Sequence, residues 1–261
     1  MPDTLKLINL TVWIFMYEPV TFCTTTFLYY EHHSFAMQIE VISVGGSILF
    51  PDAVDVDFLR RFKRLLTGFK DRKFIIVTGG GRIARLYIDA LRKGHLSKRM
   101  LSNAGIAITR VNAKFMASFF MKKDYPVPKT LKEIENLLKR HNVVFCGSLR
   151  YEEDNTSDGT AAEIARHFGG RFINMTNVKG LYTKDPRKFR DAEFVSQMSF
   201  DDFHRLVNKM NYIPGQHFVL DQRAAAVIKK SRITTFIIGN SVDNLSALLH
   251  GKKFFGTVIG Y

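Results

Sequence analysis

From Met37 onward, apolar and polar residues are arranged in two alternating patterns. Short runs of consecutive apolar residues, bounded by glycine, asparagine or charged residues, are typical of strands that are buried on both faces of a parallel sheet. Six such runs predict strands, at residues 39–44, 73–77, 142–147, 171–175, 234–238 and 256–259.

Between these runs the apolar residues recur every three or four positions, which predicts amphipathic helices. The predicted helices cover 57–69, 83–91, 100–121, a segment from Thr130, 158–168, a segment from Ser199, and 221–231. Thr130 and Glu133 have the spacing of a capping box, which indicates a helix start. Strands that alternate with helices of this length predict βαβ units, and therefore a mainly parallel sheet with helices on both faces.

Residues 1–36 do not continue this pattern. They are rich in aromatic residues and threonine, and their longest apolar stretch, about ten residues at 8–17, is too short to span a bilayer. They also lack the basic segment and small-residue cleavage site of a signal peptide. We therefore interpret residues 1–36 as an upstream extension outside the working protein, and residues 37–261 as one α/β domain that begins at Met37.

The composition is that of a globular protein, with 46% apolar residues and a formal net charge of +14. The positive charge could serve a polyanionic partner, or it could belong to a solvated surface rich in lysine. The basic residues are scattered, without a run of five like charges, which favours the second interpretation. We therefore expect neither nucleic acid nor a membrane as the partner.

The two cysteines, Cys23 and Cys146, lie far apart and outside any metal-binding spacing. They indicate neither a zinc site nor a disulfide framework, and a reducing, cytoplasmic setting fits them best. Because Cys146 ends an apolar run, we expect it to be a buried small hydrophobic residue.

Candidate binding loops follow three of the predicted strands, at 45–47, 79–82 and 176–185. Open α/β sheets bind ligands at the carboxyl ends of their strands. At Gly79, Gly80 and Gly81, glycine lets backbone N–H groups reach phosphate oxygens, and the N-terminus of the next helix adds about half a positive charge. With Arg82 and Arg85 following, we interpret this turn as a phosphate cradle; the alternative is a plain tight turn.

Several common motifs are absent from the sequence, namely GxxxxGK[ST], a complete GxGxxG and GxSxG. Their absence argues against a P-loop NTPase, a dinucleotide enzyme and an α/β-hydrolase.

The polar loop at 148–157 allows two interpretations. Thr156, Ser157 and Asp158 precede a helix and could be ordinary N-capping residues. They could also offer hydroxyl and N–H groups to a second phosphate, with a buried Asp158 orienting its neighbours. The acidic residues 152–154 are either a solvated turn or a contact to a metal or an amine.

A series of motifs in a fixed order carries a resemblance to a known family. The segments are "VGGSIL", "VTGGGRIAR", "GIAITRVNA", "SDGTAAEIA", "TNVKGLYTKDP" and "LDQRAAAVIKKSRITTFIIG". They resemble the amino acid kinase superfamily, and most of all its archaeal-type uridylate (UMP) kinases, over nearly all of residues 37–260. The resemblance implies a three-layer α/β/α sandwich on a mainly parallel sheet and a homohexamer. It also implies transfer of the ATP γ-phosphate to UMP with Mg²⁺, a step of pyrimidine nucleotide biosynthesis.

The resemblance further implies roles for individual residues. Those near the ATP phosphates would be Gly46, Ser47, Gly81 and Arg85, and those around the adenosine Thr176, Asn177, Tyr182 and Asp185. Those for UMP would be Gly80, Ser148, Thr156 and Ser157. Asp158 matches the family aspartate that organises the phosphate-binding groups.

The acceptor half departs from the family pattern. Ser102 stands where many UMP kinases have an aspartate for the ribose hydroxyls, and Lys179 replaces the aspartate of the "NVDG" motif. The loop "CGSLRYEEDNTSD" is about two residues longer than usual, lacks the Pro-Gly pair and carries three acids, which would repel a nucleotide unless they turn outward. Two alternatives stay open: another kinase of the superfamily, such as isopentenyl phosphate kinase, and a regulatory nucleotide-binding protein without turnover.

Overall fold

The computed structural model describes residues 37–50, 53–151, 156–184, 189–209 and 220–261. The strands in these ranges are β1 (Gln38–Val44), β2 (Arg72–Thr78), β3 (Val143–Cys146), β4 (Arg171–Met175), β5 (Leu181–Tyr182), β6 (Phe194–Val195), β7 (Gln197–Met198), β8 (Thr235–Ile238) and β9 (Gly256–Ile259). The helices are α1 (Gly46–Leu49), α2 (Val56–Gly68), α3 (Gly81–Lys93), α4 (Lys98–Met121), α5 (Leu131–Leu138), α6 (Ser157–Phe168), α7 (Phe200–Lys209), α8 (Gln222–Ser231) and α9 (Val242–Leu249). The predicted extension at 1–36 lies outside the described residues.

The main sheet has seven strands in the order β3-β2-β1-β4-β8-β9-β7. Its pairs are parallel except β8 with β9, which is antiparallel. Val44 is in register with both Thr78 and Met175, so β1, β2 and β4 end at the same edge. The prediction of a mainly parallel sheet is confirmed.

Each face of this sheet is covered by its own helices. Ile42 and Phe74 pack with α2, α4 and α9 in one core, whereas Val41 and Ile75 pack with α5, α6, α7 and α8 in a second core. Neighbouring strand residues face opposite cores because side chains alternate along a strand. The predicted three-layer α/β/α architecture is therefore confirmed.

Several predicted features are present in detail. Thr130 caps α5 by accepting a hydrogen bond from the N–H of Glu133 at 3.2 Å. Ser199 does the same for α7, through the N–H of Asp202 at 3.0 Å. Cys146 is fully buried in β3, and burial raises the pKa of its thiol to about 12. Cys23 lies outside the described residues.

The prediction missed the three short strands β5, β6 and β7, and the helices α1 and α9. Each of these strands has two residues, so its pairing depends on contacts made elsewhere in the chain. For β5 and β6, Thr257 in β9 makes such contacts: its hydroxyl accepts from the N–H of Leu181 at 2.8 Å and donates to the carbonyl of Val195 at 2.5 Å. Strand β7 pairs with β9 itself.

The amino-terminal edge of the sheet holds a buried ion pair. Glu40 in β1 is fully buried, and its carboxylate accepts a hydrogen bond from Arg171 Nε at 3.1 Å. Arg72 Nη1 lies 3.5 Å from the same carboxylate. Burial raises the pKa of Glu40, and the two arginines oppose that effect. This cluster joins β1, β2 and β4 at the edge opposite the candidate site.

In the ranges that the structure covers, no helix combines the length and apolar character needed to cross a membrane.

Candidate active site

The predicted binding residues lie along the carboxyl edge of the sheet. Strands β3, β2, β1 and β4 are neighbours and run parallel, so the loops that follow them lie side by side. The residues that follow these strands are Ser148 after β3, Gly80, Gly81 and Arg85 after β2, Gly46 and Ser47 after β1, and Thr176, Asn177 and Tyr182 after β4. Asp185 lies outside the described residues.

The turns after β1 and β2 are in direct backbone contact. A Cβ added to Gly46 would lie 2.2 Å from the Gly81 nitrogen, and one added to Gly79 would lie 2.8 Å from the Gly46 nitrogen. Gly81 also has a φ of +64°, in the left-handed region that favours glycine. The glycines are therefore needed for the packing of the two turns, in addition to any approach of a ligand.

Helix α3 begins at this contact. Gly80 is its N-cap, and Arg82 and Arg85 are exposed on its first turns. The first N–H groups of a helix have no partner within the helix, and the helix dipole adds positive charge at the same end. The start of α3 is thus suited to an anionic group at the carboxyl edge of the sheet.

Thr156 determines where α6 begins and connects it to α8. Its hydroxyl accepts hydrogen bonds from the N–H groups of Asp158 at 3.1 Å and Gly159 at 3.3 Å, and it donates to the carboxylate of Asp221. Asp221 is itself the N-cap of α8 and accepts from the N–H of Ala224 at 2.7 Å. The capping role of Thr156 is confirmed, and its hydroxyl proton is directed to Asp221.

Asp158 lies on the first turn of α6 and is partly buried against β1. Its carboxylate accepts a hydrogen bond of 2.7 Å from the hydroxyl of Ser43, a buried residue of β1. Burial raises the pKa of Asp158 to about 7; the charge of Asp221 acts in the same direction, and the Ser43 bond opposes it. A carboxyl group whose pKa is strongly raised by burial is a feature of functional sites.

Ser148 opens the loop after β3 and is held by α4. Its N–H donates to the hydroxyl of Thr109 at 2.9 Å, and its carbonyl accepts from Arg110 Nε at 3.1 Å. Ser102, which stands at the position of the family aspartate, lies on the same helix and is partly buried. The acidic residues 152–154 lie outside the described residues, so both interpretations of them, a solvated turn and a contact to a metal or an amine, stay open.

The turn after β4 combines polar groups with an aromatic ring. The N–H of Thr176 donates to the carbonyl of Ile238 at 3.0 Å, and Asn177 is exposed. Tyr182 in β5 packs edge-to-face on Phe194, with ring centroids 5.5 Å apart. Such a combination can bind a nucleoside by stacking and hydrogen bonding.

Two residues of this network were missed by the sequence analysis. Its patterns place Ser43 within an apolar strand and Asp221 at an ordinary helix start. Ser43 could have been noticed as the one hydroxyl in "IEVISV", and Asp221 as the acid of "LDQRAAA". Ser43 lies 115 residues along the chain from Asp158, and Asp221 lies 65 residues from Thr156, so no local pattern predicts these contacts.

Two carboxylates lie at this edge of the sheet and could contact a cation. Across the described ranges, no three histidine, cysteine, aspartate or glutamate side chains gather to hold a metal ion. Asp158 and Asp221 are carboxylates at this edge, and Mg²⁺ commonly uses one or two carboxylates together with substrate phosphates. The residues therefore fit a Mg²⁺ whose remaining ligands come from phosphate and water.

Comparison with known proteins relates this chain to a family of kinases. The sequence model of the amino acid kinase family matches residues 38–239. The uridylate kinase of Thermoplasma acidophilum is 34% identical over 220 residues, which are 84% of this chain and 95% of that protein.

Solved structures give the same relationship in three dimensions. The crystal structure of the uridylate kinase of Archaeoglobus fulgidus has a TM-score of 0.75 and 31% identity, and the match covers 86% of this chain and 100% of that one. A structure of isopentenyl phosphate kinase has a TM-score of 0.63 and 16% identity, over 85% of this chain and 100% of that one. At this lower identity the similarity extends to the fold alone.

Proposed function

The chain belongs to the amino acid kinase family, and we propose that it transfers the γ-phosphate of ATP to UMP, which yields ADP and UDP. The observation that carries this proposal is the contact between the two glycine turns beside the start of α6. It brings the two glycine turns together at one edge of the sheet, where their backbone N–H groups would bind phosphate. The 34% identity to a uridylate kinase supports UMP as the acceptor.

Phosphoryl transfer depends mainly on positioning and on neutralisation of charge. In this proposal the ATP phosphates lie against the N–H groups of Gly46, Ser47 and Gly81. Arg85 on α3 adds a cation on the exposed side. The adenosine would be held by the residues after β4, which are Thr176, Asn177, Tyr182 and Asp185.

We assign the organising role to Asp158. Its bond to Ser43 joins the start of α6 to β1, the strand that leads into the first glycine turn. A shift of α6 would therefore be transmitted to the backbone groups that bind phosphate. Mg²⁺ bound to the ATP phosphates would neutralise part of their charge, and Asp158 and Asp221 are carboxylates at this edge that could contact it in addition to their present hydrogen bonds.

The acceptor would occupy the side of the site between α3, α6 and the loop after β3. Gly80 would face it, and Ser148, Thr156 and Ser157 would supply hydrogen-bonding groups. Because the Thr156 hydroxyl already donates to Asp221, we expect this residue to act through its position at the helix start.

The alternative of an isopentenyl phosphate kinase has weaker support. Its 16% identity reflects a common fold, whereas the uridylate kinases of Archaeoglobus fulgidus and Thermoplasma acidophilum are 31% and 34% identical over most of the chain. Ser102 and the long loop after β3 remain the features that would change the acceptor. A regulatory protein that binds ATP without turnover is the non-enzymatic alternative.

An acceptor panel distinguishes these functions. ATP consumption and product formation would be measured with UMP, CMP, AMP, isopentenyl phosphate and acetylglutamate under identical conditions. We expect UMP to give the highest kcat/KM, with UDP as the product. Turnover with another acceptor and none with UMP would refute the proposal, and ATP binding without any turnover would favour the regulatory protein.

We further propose that the enzyme is a homo-oligomer, a hexamer as the family resemblance implies, working in the cytoplasm in pyrimidine nucleotide biosynthesis. Exposed apolar side chains on α3 and its neighbour α4 support self-association. They are Ile83, Leu86, Tyr87, Met100 and Val111, each at least 41% exposed. A patch of this kind on a folded surface is typical of a protein–protein contact.

The working kinase is proposed to consist of residues 37–261, in agreement with the family match that begins at residue 38. Mass spectrometry of the native protein tests this boundary. A peptide from residues 1–36 attached to the mature chain would contradict it.

A further inference from the structure

One turn of α4, "TRVN" at residues 109–112, makes hydrogen bonds to loops on both sides of the proposed reaction centre. The sequence analysis used this segment only as part of a family resemblance. In the structure it is the element that touches both the glycine turn after β2 and the loop after β3.

At the glycine turn after β2, the first bond is made by Asn112. This side chain is almost fully buried, and its amide Nδ2 donates to the carbonyl of Gly79 at 2.8 Å. The carbonyl of Thr109 accepts a second bond, of 2.7 Å, from the buried hydroxyl of Thr78 at the end of β2. The turn that leads to Gly80 and Gly81 is thus attached to α4 by two buried hydrogen bonds.

At the loop after β3, where the phosphate acceptor is proposed to bind, the bonds are made by Thr109 and Arg110. The Thr109 hydroxyl accepts from the N–H of Ser148, and the Arg110 guanidinium donates to the carbonyls of Ser148 and Leu149. A Cβ on Gly147 would lie 2.5 Å from the Thr109 hydroxyl oxygen, so the loop backbone rests directly on the helix. Arg110 therefore uses two of its donor nitrogens on the protein itself.

We propose that Arg110 is a positioning residue for the loop after β3, through the carbonyls of Ser148 and Leu149, and that Asn112 has the matching role for the glycine turn after β2. The glycine turn after β2 and the loop after β3 are held at a fixed separation, because both are hydrogen-bonded to the same turn of α4. An arginine at a phosphate-transfer site would ordinarily be taken as a phosphate ligand. Here its donors are directed to loop carbonyls, so its effect on the acceptor is transmitted through residues 148 and 149. This inference rests on the proposed function.

The first test needs no substrate. Hydrogen exchange would be measured by mass spectrometry on the ligand-free full chain, comparing wild type with Arg110→Met. We expect exchange of the Ser148 N–H, which is bonded to Thr109, to accelerate by about tenfold in the peptide that covers 147–151, because the loop loses two hydrogen bonds from a charged donor. Arg92→Met is the matched control, since Arg92 is an exposed arginine of α3 paired with Asp89.

The second test separates the two substrates. We expect Arg110→Met to raise the KM for UMP by about tenfold or more and to leave the KM for ATP within about twofold, for the same loss of hydrogen-bond energy. Asn112→Leu should raise the KM for both substrates, because the turn that Asn112 holds carries Gly80 on the UMP side and Gly81 on the ATP side. Arg110→Lys, which can still reach one carbonyl, should give an intermediate KM for UMP and remains usable if the methionine variant fails to fold.

The outcomes distinguish this inference from the proposed function. If wild type phosphorylates UMP but Arg110→Met has unchanged exchange and an unchanged KM for UMP, the positioning role is wrong and the function stands. Unchanged exchange in the ligand-free protein together with a raised KM for UMP would make Arg110 a direct phosphate ligand and would also overturn the inference. If wild type does not act on UMP, the proposed function fails, and the exchange result alone decides whether Arg110 holds the loop.

Discussion

At the scale of single residues, the position of Asp158 could be predicted from the sequence, but its environment could not. The run "TSDGTAAE" indicates a capped helix start, and the family resemblance gives the aspartate a role. The contact with Ser43 depends on how α6 packs on β1, which no local pattern contains. The same limit applies to Asp221, whose sequence context indicates a plain cap until Thr156 is placed beside it.

The raised pKa of Asp158 makes the stability of the protein depend on pH. Its folded pKa of about 7 lies above the ordinary value near 4, so the folded state binds more protons than the unfolded state between these values. Stability from this group is therefore lost as the pH rises from about 4 to 7. An asparagine side chain cannot ionise, so we expect Asp158→Asn to gain stability relative to wild type over this range, by more than about 1 kcal/mol at pH 8.

Urea unfolding of wild type and Asp158→Asn at pH 5 and pH 8 measures this difference. Asp57→Asn, an exposed aspartate on α2, controls for the loss of a surface charge. Equal differences at the two pH values would show that Asp158 does not titrate as described.

The contact between the glycine turns gives a second prediction at this scale. Gly46→Ala would bring a methyl group to 2.2 Å from the Gly81 nitrogen, so the two turns must separate. We expect a loss of about 1–3 kcal/mol in the free energy of unfolding, as for overpacked cores, together with weaker ATP binding. Gly68→Ala is the matched control, because no atom lies within 4 Å of its added Cβ. Thermal unfolding and ATP titration measure both effects, and equal behaviour of the two variants would contradict the account.

At the scale of elements, long strands and helices could be predicted because their periods are local. The short strands β5–β7 could not, since a two-residue strand is defined by its partner and not by its own sequence. Helix α9 has a helical apolar pattern at Val242, Leu245, Leu248 and Leu249, and that signal was overlooked.

The side chain of Tyr125 makes hydrogen bonds to the outer side of β3, the edge strand of the described sheet. The hydroxyl of Tyr125 donates to the carbonyl of Phe145 at 3.1 Å and accepts from the N–H of the same residue at 3.0 Å. Tyr125 is almost fully buried, and burial raises its pKa. The hydroxyl thus takes the place of a neighbouring strand beside β3, and β3 leads into the loop that contains Ser148.

We expect Tyr125→Phe to destabilise the protein by about 1–3 kcal/mol, because it leaves a buried N–H and a buried carbonyl without this partner. Tyr261→Phe, at a tyrosine that is 66% exposed and lies outside the proposed contact between copies, should change the stability by less than about 0.5 kcal/mol. Urea unfolding of both variants makes the comparison. A loss for Tyr125→Phe no greater than that of its control would rule out the edge-capping role.

At the scale of the whole molecule, the three-layer architecture could be predicted from the alternation of strands and helices. Which apolar residues lie on the surface could not be predicted. Burial is decided by tertiary packing, so the apolar residues of α3 and α4 resemble core residues until the structure places them outside. Leu86 is 57% exposed on α3.

We expect Leu86→Glu to dissociate the proposed oligomer, because a charge at the centre of an apolar contact costs several kcal/mol. Size-exclusion chromatography with light scattering would then give a smaller mass than for wild type. Val56→Glu, which changes an exposed valine at the start of α2, should leave the mass unchanged. An unchanged mass for Leu86→Glu would exclude this surface as the contact between copies.

The central claim is that the chain phosphorylates UMP at the carboxyl edge of its sheet, with Asp158 organising the site. The most direct measurement is the initial rate of UDP formation from ATP and UMP, followed by ³¹P NMR, for wild type and Asp158→Ala. We predict equal amounts of UDP and ADP with wild type and a rate at least about a hundredfold lower with the folded variant, as when one preorganised group is removed from a transition-state site. Absence of UDP with wild type, or a near-normal rate with Asp158→Ala, would contradict the account.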